Sequence, residues 1–245
     1  MKSKTVIVTG ASSGIGFAIA KAYLARGYNV VANARTEQDL AQPAERLGVP
    51  DNLLLVAGDI ARPETATALF VRAQQHFGRV DVLVNNAGVF ISKPIAEYDE
   101  ADIETMLATN LKGFIYPSQA AAAHMRAHGG GQIIAITAAL AMQPNVNVPA
   151  LLPIMAKGGL NQAVRGLALE LAESNIMVNA VAPGIIATPM HGQDPTVLEA
   201  LKSMAPTHRV GEVEDIVQAV MYLTDASFVT GSIMVVDGGS TAGKW

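Results

Sequence analysis

Apolar and polar positions follow two patterns along the 245 residues of the chain. Short runs rich in Val, Ile, Leu and Ala are almost continuously apolar, and longer stretches with helical spacing separate them. The short runs predict strands at 5–8, 29–34, 53–57, 80–84, 132–137, 176–182 and 232–236. The stretches between them predict a first helix that ends near Gly27 and further helices at 37–47, 63–77, 101–127, 151–173, 195–204 and 213–225.

This alternation predicts an α/β fold. Strands that are apolar throughout are buried on both faces, so they are typical of a parallel sheet with helices on each side. The sequence contains no linker, no block of charge and no internal repeat, and we therefore expect one domain over residues 1–245. Ligands of such sheets bind at the carboxyl ends of the strands, so the residues that follow each strand form the candidate site.

Composition narrows the function further. Half of the residues are apolar and only 16% are charged, which suits a compact domain with a large core. The formal charge of −4 and the lack of any Lys or Arg run argue against binding to nucleic acid or to an anionic membrane. The absence of cysteine excludes disulfides and thiolate metal sites. The sequence shows neither a signal peptide nor an apolar run of membrane-spanning length, so we expect a cytoplasmic protein.

The first predicted strand runs directly into a glycine-rich turn, Thr9-Gly10-Ala11-Ser12-Ser13-Gly14-Ile15-Gly16, and then into a helix. Gly10 permits a sharp turn, Gly14 presents no Cβ to a pyrophosphate, and Gly16 allows the helix to pack closely on the strand. The helix start also offers free N–H groups and a positive dipole end to an anion. The alternative is a turn that only joins strand to helix. The glycine-rich turn stands at the first strand–helix junction, and this position favours a phosphate site.

The ends of the second and third strands indicate which nucleotide binds. Arg35 follows Ala34, and an Arg at this position favours the 2′-phosphate of NADP(H), whereas an acidic residue would favour NAD(H). The alternative is a solvated Arg at a strand end. Asp59 follows the third strand and either accepts a hydrogen bond from the adenine amino group or caps the helix that begins near Pro63.

The fourth strand leads into Asn85-Asn86-Ala87-Gly88, where two amides can satisfy buried backbone groups beside a ribose. With these residues the chain resembles the short-chain dehydrogenase/reductase family over nearly its whole length. The resemblance implies a doubly wound Rossmann-type fold with seven parallel strands and helices on both faces, a nicotinamide cofactor and a homotetramer. The other matching positions are the glycine turn, Asp59, Asn110 in Thr109-Asn110-Leu111, Lys157, Pro183-Gly184, Thr188 and Val236-Asp237-Gly238-Gly239.

The resemblance also implies the residues of the cofactor site. In the family, Thr188 would hold the nicotinamide carboxamide, and Asn110 would shape the proton path by binding water. A mobile substrate loop would occupy about 185–210. The cofactor-binding residues would be Gly10, Ser12, Ser13, Gly14, Ile15, Gly16, Arg35, Asp59, Ile60, Asn86, Ala87, Gly88, Lys157, Pro183, Gly184, Ile186 and Thr188.

The family's proton donor is missing from this sequence. In the family, a Tyr four residues before the Lys donates a proton to the substrate carbonyl, and a Ser at the preceding strand end polarises the same oxygen. Here Pro153 stands four residues before Lys157, and Ala138 stands in place of the Ser. Residues 129–156 contain no Tyr, His, Asp, Glu, Lys, Arg or Cys. The apolar character of this segment predicts an apolar, carbonyl-type substrate.

Two hypotheses follow. In the first, the protein is an atypical NADP(H)-dependent reductase in which Lys157, Thr137, His191 or a water held by Asn110 supplies the proton. We favour Lys157, because an apolar pocket lowers the pKa of an amine toward the working range. In the second, the protein is a catalytically inactive NADP(H)-binding sensor or regulatory subunit. NADPH consumption with a carbonyl or imine substrate would separate the two.

Two remaining features carry weaker signals. His124 and His128 are four residues apart and could share a metal ion. They stand near the end of a predicted helix, where the helix dipole stabilises positively charged side chains. We therefore expect no metal site. The small residues at 120–123 form a surface on which helices of two subunits can pack closely. This surface supports the expected homotetramer.

Overall fold

The computed structural model describes residues 3–189 and 195–243. The described part contains one sheet of seven parallel strands in the order β3-β2-β1-β4-β5-β6-β7. The strands are β1 (Thr5–Val8), β2 (Asn29–Ala34), β3 (Leu53–Ala57), β4 (Val82–Asn85), β5 (Gly131–Ile136), β6 (Ile176–Pro183) and β7 (Ile233–Val236). The chain winds outward from β1 to β3 and then returns to place β4 beside β1. A crevice therefore opens between the carboxyl ends of β1 and β4.

Helices cover both faces of the sheet, which confirms the predicted doubly wound α/β fold. They are α1 (Gly14–Ala25), α2 (Glu37–Leu47), α3 (Pro63–Phe77), α4 (Glu100–Met106), α5 (Gly113–Ala127), α6 (Leu151–Leu171), α7 (Pro195–Lys202) and α8 (Val213–Asp225). Side chains from α3, α5 and α6 form one buried cluster with Ile7 of β1. Side chains from α1 and α8 form the other cluster with Val6 and Val8 of the same strand. Successive strand residues thus enter opposite cores.

Most predicted bounds agree with the structure, and β4 shows why one does not. The apolar run predicts a strand from residue 80, whereas β4 begins at Val82. The backbone N–H of Val80 instead donates to Nε2 of His124 on α5, at 2.9 Å. A contact with a distant side chain therefore replaces the strand pairing, and the local pattern of apolar residues does not contain that information.

The predicted helix at 101–127 is helical throughout but is not regular. A π-helical segment, Leu107–Lys112, joins α4 to α5. Asn110 lies within this segment and is buried. Segments of this type often occur at functional sites. The change in helical pitch places Asn110 toward the loop that follows β4, where it contacts Val89.

Candidate active site

A cleft of about 990 Å³ opens along the carboxyl ends of the strands. Small-molecule sites usually offer about 300–1,000 Å³, so this one is large. Its lining contains every residue that the family resemblance assigns to the cofactor, from Gly10 to Thr188. Thr137 and Ala138 also line the cleft, whereas Asn110 is buried and is not part of the lining. His191, a candidate from the sequence, lies outside the described residues.

Two glycines of the turn after β1 have the geometry that their predicted roles require. Gly10 has a φ of +64°, in the left-handed region, and a Cβ there would lie 2.8 Å from Cα of Ala87. A Cβ on Gly16 would overlap the carbonyl oxygen of Gly10 and the amide of Asn86. Any larger residue at either position would therefore displace backbone that shapes the cleft.

The beginning of α1 faces the cleft with its first backbone N–H groups not capped by a side chain. Ser13 is the N-cap residue, and its side chain makes no capping hydrogen bond. Gly14 begins the helix at a φ of +54°, and a Cβ there would lie 3.5 Å from the side chain of Thr188. Unpaired N–H groups at a helix start attract an anion. The start of α1 is therefore suited to a phosphate group, and Thr188 lies beside it.

Asn86 fixes the turn against the segment that follows β4. Its Nδ2 donates to the carbonyl oxygens of Thr9 and Gly10, at 2.9 and 3.0 Å. In return, Oγ1 of Thr9 accepts from the backbone N–H groups of Asn86 and Ala87, at 3.0 and 3.1 Å. The sequence predicted that amides here would satisfy backbone groups, but it did not single out Thr9. A short Thr at a strand end gives no recognisable signal by itself.

A different set of contacts organises the end of the cleft beside β2 and β3. Asn33 is buried, and its Nδ2 donates to the carbonyl oxygens of Val56 and Gly58, at 3.0 and 3.1 Å. Arg35 is exposed and lines the cleft. Oδ1 of Asp59 accepts from the N–H of Ala61 at 2.9 Å, so its carboxylate holds the loop after β3.

The alternative role of Asp59 as the cap of α3 does not match the structure. Arg62 is the N-cap residue of that helix, and its side chain makes no capping hydrogen bond. Asp59 lies three residues earlier in the chain and lines the cleft. Its contact with Ala61 is a local turn within the loop.

Lys157 and Asn110 lie close to Gly88. A Cβ on Gly88 would be 2.9 Å from Oδ1 of Asn110 and 3.1 Å from Nζ of Lys157. Nζ of Lys157 donates to the carbonyl oxygen of Ile136 at 2.9 Å, and burial lowers the pKa of the amine to about 8. Asn110 accepts from the N–H of Val89 at 3.1 Å and donates to its carbonyl at 3.0 Å.

Ala138 and Pro153, which stand where the family has its Ser and Tyr, have different surroundings. Ala138 lines the cleft directly after Thr137, whose Oγ1 donates a long hydrogen bond of 3.4 Å to the carbonyl of Val181. Pro153 is buried in the first turn of α6. That position suits it, because a Pro in a first turn breaks no hydrogen bond within the helix. In the described part of the chain, neither a Tyr nor a His lines the cleft.

Charged residues near the C-terminus also belong to the site, although only Asp237 among them lies in a motif of the sequence. Arg209 and Asp215 line the cleft and form an ion pair through two contacts of 2.7 and 3.2 Å. Asp237 lines it as well. A Cβ on Gly184 would lie 2.7 Å from Cα of Asp237, so this carboxylate stands directly behind the Pro183-Gly184 turn.

The histidine pair on α5 has structural partners. His124 accepts from the N–H of Val80, and Nδ1 of His128 is 2.7 Å from the carbonyl oxygen of His124. Their rings are stacked with centroids 4.0 Å apart. Across the described residues, no group of three or more His, Asp or Glu side chains is arranged to hold a metal ion.

Comparison with known proteins gives the class and then the family. A family model described as enoyl-(acyl carrier protein) reductase matches residues 10–241. The 3alpha-hydroxysteroid dehydrogenase of Mediterraneibacter gnavus is 36% identical over 249 residues, which cover 97% of each chain. The 3beta-hydroxysteroid dehydrogenase 1 of Eggerthella lenta is 34% identical over 249 residues, which cover 98% of this chain and 95% of that protein.

Solved structures agree. The structure of a short-chain type dehydrogenase/reductase from Mycobacterium marinum superimposes with a TM-score of 0.93 at 29% identity. The match covers 99% of this chain and 97% of the M. marinum chain. The structure of ElxO with NADP bound superimposes with a TM-score of 0.92 at 27% identity. The match covers 98% of this chain and 100% of the ElxO chain. These relatives are named as dehydrogenases and reductases, and the chain matches them over nearly its whole length. The chain belongs to the short-chain dehydrogenase/reductase family. In the described part of the chain, no helix is both long enough and apolar enough to cross a membrane.

Proposed function

We propose that the protein is an NADP(H)-dependent oxidoreductase for a small, apolar substrate, with an active site that lacks the family's Tyr and Ser. One observation carries this proposal: the cleft between β1 and β4 brings together the glycine turn, the uncapped start of α1, Lys157 and Arg35. Together these groups match the pyrophosphate, the 2′-phosphate and the nicotinamide end of a dinucleotide phosphate. Relatives named as dehydrogenases over nearly the full length of the chain support the oxidoreductase class.

The described residues fit the cofactor. The start of α1 would hold the pyrophosphate, and Gly14 supplies the left-handed backbone, with a φ of +54°, from which the helix begins. Gly88 has no Cβ, so Nζ of Lys157 and Oδ1 of Asn110 can lie close to the backbone where the ribose would bind. Asp59 lies on the adenine side of the cleft. When bound, the reduced nicotinamide supplies a hydride from its C4.

Arg35 supports the choice of NADP(H). Its side chain is exposed at the end of β2, and Ala34 places no carboxylate in front of it. A guanidinium in this position pairs with a 2′-phosphate. The structures of ElxO, which are described with NADP and with NADPH bound, are consistent with this preference.

Lys157 is the described residue best suited to move a proton. Its amine lies in the cleft, and its pKa of about 8 leaves it mostly protonated near neutral pH. The alternatives are His191, Thr137 and a water held by Asn110. Oδ1 and Nδ2 of Asn110 are both hydrogen-bonded to the backbone of Val89, and the hydroxyl of Thr137 already donates to the carbonyl oxygen of Val181. These contacts favour Lys157.

The competing function, an inactive nucleotide-binding sensor, rests on Pro153 and Ala138, which carry no acidic proton. A titration of the protein with NADPH and with NADH, followed by NADPH oxidation over a panel of apolar carbonyl and imine compounds, distinguishes the two functions. The reductase proposal requires NADPH binding and steady turnover with at least one compound. NADPH binding that changes assembly while every compound is inert would favour the sensor.

A further inference from the structure

Asn33 is an unusual residue for its place in the fold. It lies in β2, between β1 and β3 of the parallel sheet, where apolar and β-branched residues are favoured. Its side chain is only 1% exposed. A buried amide destabilises a fold unless its polar atoms are hydrogen-bonded, so the partners of Asn33 indicate what the residue does.

The amide nitrogen of Asn33 ties together the two strand ends at one end of the cleft. Its Nδ2 donates to the carbonyl oxygens of Val56, Gly58 and Ala34, at 3.0, 3.1 and 3.2 Å. The backbone oxygen of Asn33 accepts from the N–H of Ala11 in the glycine-rich turn, at 2.8 Å. These contacts fix the direction of the amide, and with it the position of Oδ1.

The amide oxygen of Asn33 is the atom left for a ligand. Within the described residues, Oδ1 accepts no hydrogen bond, and it is not sealed inside the core. Asn33 lines the cleft, so this acceptor is reached from the cleft. Asn179 of β6 is the contrasting case, because its buried amide donates to Val229, accepts from Ser232 and lies away from the cleft. The fold uses the whole amide of Asn179 but only the nitrogen of Asn33.

Asp59 offers a second free acceptor nearby. It directly follows Gly58, whose carbonyl oxygen accepts from Asn33. Oδ1 of Asp59 accepts from the N–H of Ala61, whereas Oδ2 accepts no hydrogen bond from a described residue. Asp59 is exposed and lines the cleft. This end of the cleft thus presents two acceptor oxygens, and a single group that bonds to both must carry two hydrogens.

We propose that Asn33 is a specificity-determining residue for the nucleotide base, and that its Oδ1 and Oδ2 of Asp59 each accept one hydrogen of the adenine amino group. This inference rests on the proposed function, because the adenine belongs to NADPH. An exocyclic amino group has two N–H donors, which matches the two free acceptors. A base with a carbonyl oxygen in that place would leave both acceptors unpaired. The site therefore selects adenine over hypoxanthine or guanine.

The test compares NADPH with reduced nicotinamide hypoxanthine dinucleotide phosphate, in which an oxygen replaces the adenine amino group. Fluorescence titration of the reduced nicotinamide, which both compounds share, measures the two dissociation constants without any turnover. We expect wild-type protein to bind NADPH at least about tenfold more tightly than the hypoxanthine analogue, because two hydrogen bonds are lost and two acceptors stay unpaired. Equal affinities would overturn the inference.

Variants of Asn33 separate recognition of the base from support of the strands. Asn33→Ala removes Oδ1 and should lower the preference for NADPH by at least about threefold. Asn33→Asp loses the donors of Nδ2 but keeps an acceptor oxygen, so it should retain the preference even where both affinities fall. A purely structural role predicts that the two variants behave alike, and that result would overturn the inference. Asn179→Ala is the matched control, since it removes a buried strand amide away from the cleft and should keep the wild-type preference.

Asp59→Ala isolates the contribution of Asn33 from that of its neighbour. Asp59 is exposed in a loop, so this substitution is compatible with folding. The Asp59→Ala protein should still prefer NADPH, and the addition of Asn33→Ala should lower that preference further. If Asp59→Ala alone abolishes the preference, Asp59 recognises the base without Asn33 and the inference is overturned. This arm decides the question even where the Asn33 variants do not fold.

The outcomes separate this inference from the proposed function. If NADPH fails to bind wild-type protein, the proposed function itself is wrong. If NADPH binds and the hypoxanthine analogue binds equally well, the nucleotide-binding function stands and the role of Asn33 is overturned. A preference for NADPH that persists unchanged in Asn33→Ala overturns that role as well.

Discussion

Arg35 is the residue on which the choice between the two nicotinamide cofactors depends. It pairs with the 2′-phosphate in our proposal, and hydrogen bonds to charged groups contribute about 1.5–3 kcal/mol, which corresponds to roughly tenfold or more in affinity. We expect wild-type protein to bind NADPH at least about tenfold more tightly than NADH. The Arg35→Ala variant should lose most of this difference by weakening NADPH binding alone. Fluorescence titration with both cofactors measures it.

Arg126 provides the matched control for this experiment. It is exposed on α5, where it pairs with Glu170, and it does not line the cleft. Arg126→Ala removes the same charge and should leave both affinities unchanged. Equal affinities of wild-type protein for NADPH and NADH, or an Arg35→Ala variant that still prefers NADPH, would contradict the role of Arg35.

Because Pro153 and Ala138 replace the family's Tyr and Ser, we expect wild-type protein to reduce ordinary ketones slowly. General acid catalysis is worth about 10²–10⁴-fold, so turnover of simple ketones should be low by that factor despite firm NADPH binding. The double variant Pro153→Tyr with Ala138→Ser should recover part of it, as measured by NADPH oxidation with a ketone. Ala138→Ser alone is the control, because Ser polarises the oxygen but donates no proton. Fast ketone reduction by wild-type protein would refute this reasoning.

Lys157 gives ketone reduction a specific pH dependence. Burial lowers the pKa of its amine to about 8, and only the protonated amine donates a proton. The residual ketone turnover should therefore be constant below this pH and fall as the pH rises through about 8. Lys157→Arg keeps the charge but neither titrates nor donates a proton in this range, so kcat should fall and the remaining turnover should show no decline through about pH 8. A wild-type profile that stays flat through pH 8 would exclude Lys157 as the donor.

For single residues, the sequence identifies the residue types of the site better than it identifies the groups that each side chain contacts. Asn110 and Lys157 are found through a motif, but their joint position beside Gly88 depends on how the π-helical segment and α6 pack. Asn33 escapes sequence reasoning altogether. It lies inside an apolar strand, and its hydrogen bonds go to carbonyls of the neighbouring strand that only the folded sheet brings near.

At the scale of elements, His124 joins α5 to the start of β4. Its Nε2 accepts the N–H of Val80, so the ring must be neutral at that nitrogen. Burial, the neighbouring His128 and Arg79 together lower the pKa of His124 below its usual 6.5. The unfolded chain therefore binds this proton more readily than the folded protein does. The resulting stability is complete above about pH 6.5 and is lost as the pH falls from there to the lowered pKa.

This linkage can be measured by urea unfolding at about pH 7.5 and about pH 5.5. We expect the free energy of unfolding to decrease between the two pH values more in wild-type protein than in His124→Gln, whose side chain does not titrate. His76→Gln on α3 is the control and should keep the wild-type pH dependence. An identical pH dependence in wild-type protein and His124→Gln would show that the contact with Val80 does not link stability to protonation.

Element bounds follow the sequence where local chemistry decides them. Both helices begin at the predicted residues: Pro63 indicated the start of α3, and in the structure a reciprocal capping box of Thr36 and Asp39 explains the start of α2. The π-helical segment before α5 was not predicted. In this segment Asn110 contacts Val89, a residue 21 positions earlier in the chain, and the helical pattern of apolar residues does not reveal that contact.

At the scale of the whole molecule, the sequence predicted the sheet because continuous apolar strands leave few other arrangements. It did not predict the charge distribution in the cleft. The ion pair of Arg209 with Asp215 and the hydrogen-bonded carboxylate of Asp237 come from segments after α7, far along the chain from the glycine turn. The chemistry that this site prefers therefore depends on the packing of the last quarter of the chain.

The family resemblance predicts a homotetramer, and the structure changes the argument for it. The small residues at 120–123 were expected to face another subunit, but Ala121 is buried in the chain's own core. Large apolar side chains on the same face of the sheet are better candidates, since Ile115 of α5 is 46% exposed and Leu169 of α6 is 83% exposed. Exposed apolar groups of this kind often mark a protein interface.

Leu169→Glu tests this arrangement. Burying a Leu side chain contributes about 1.5–3 kcal/mol, and a symmetric tetramer repeats that loss in every subunit. We expect wild-type protein to have a tetramer mass by light scattering at micromolar concentration and Leu169→Glu to have a smaller mass with an unchanged circular dichroism spectrum. Val49→Glu places the same charge just after α2, on the side of the other core cluster, where Val49 is 54% exposed, and should remain tetrameric. A monomer mass for wild-type protein would contradict the assembly, and a tetrameric Leu169→Glu would exclude this face as the interface.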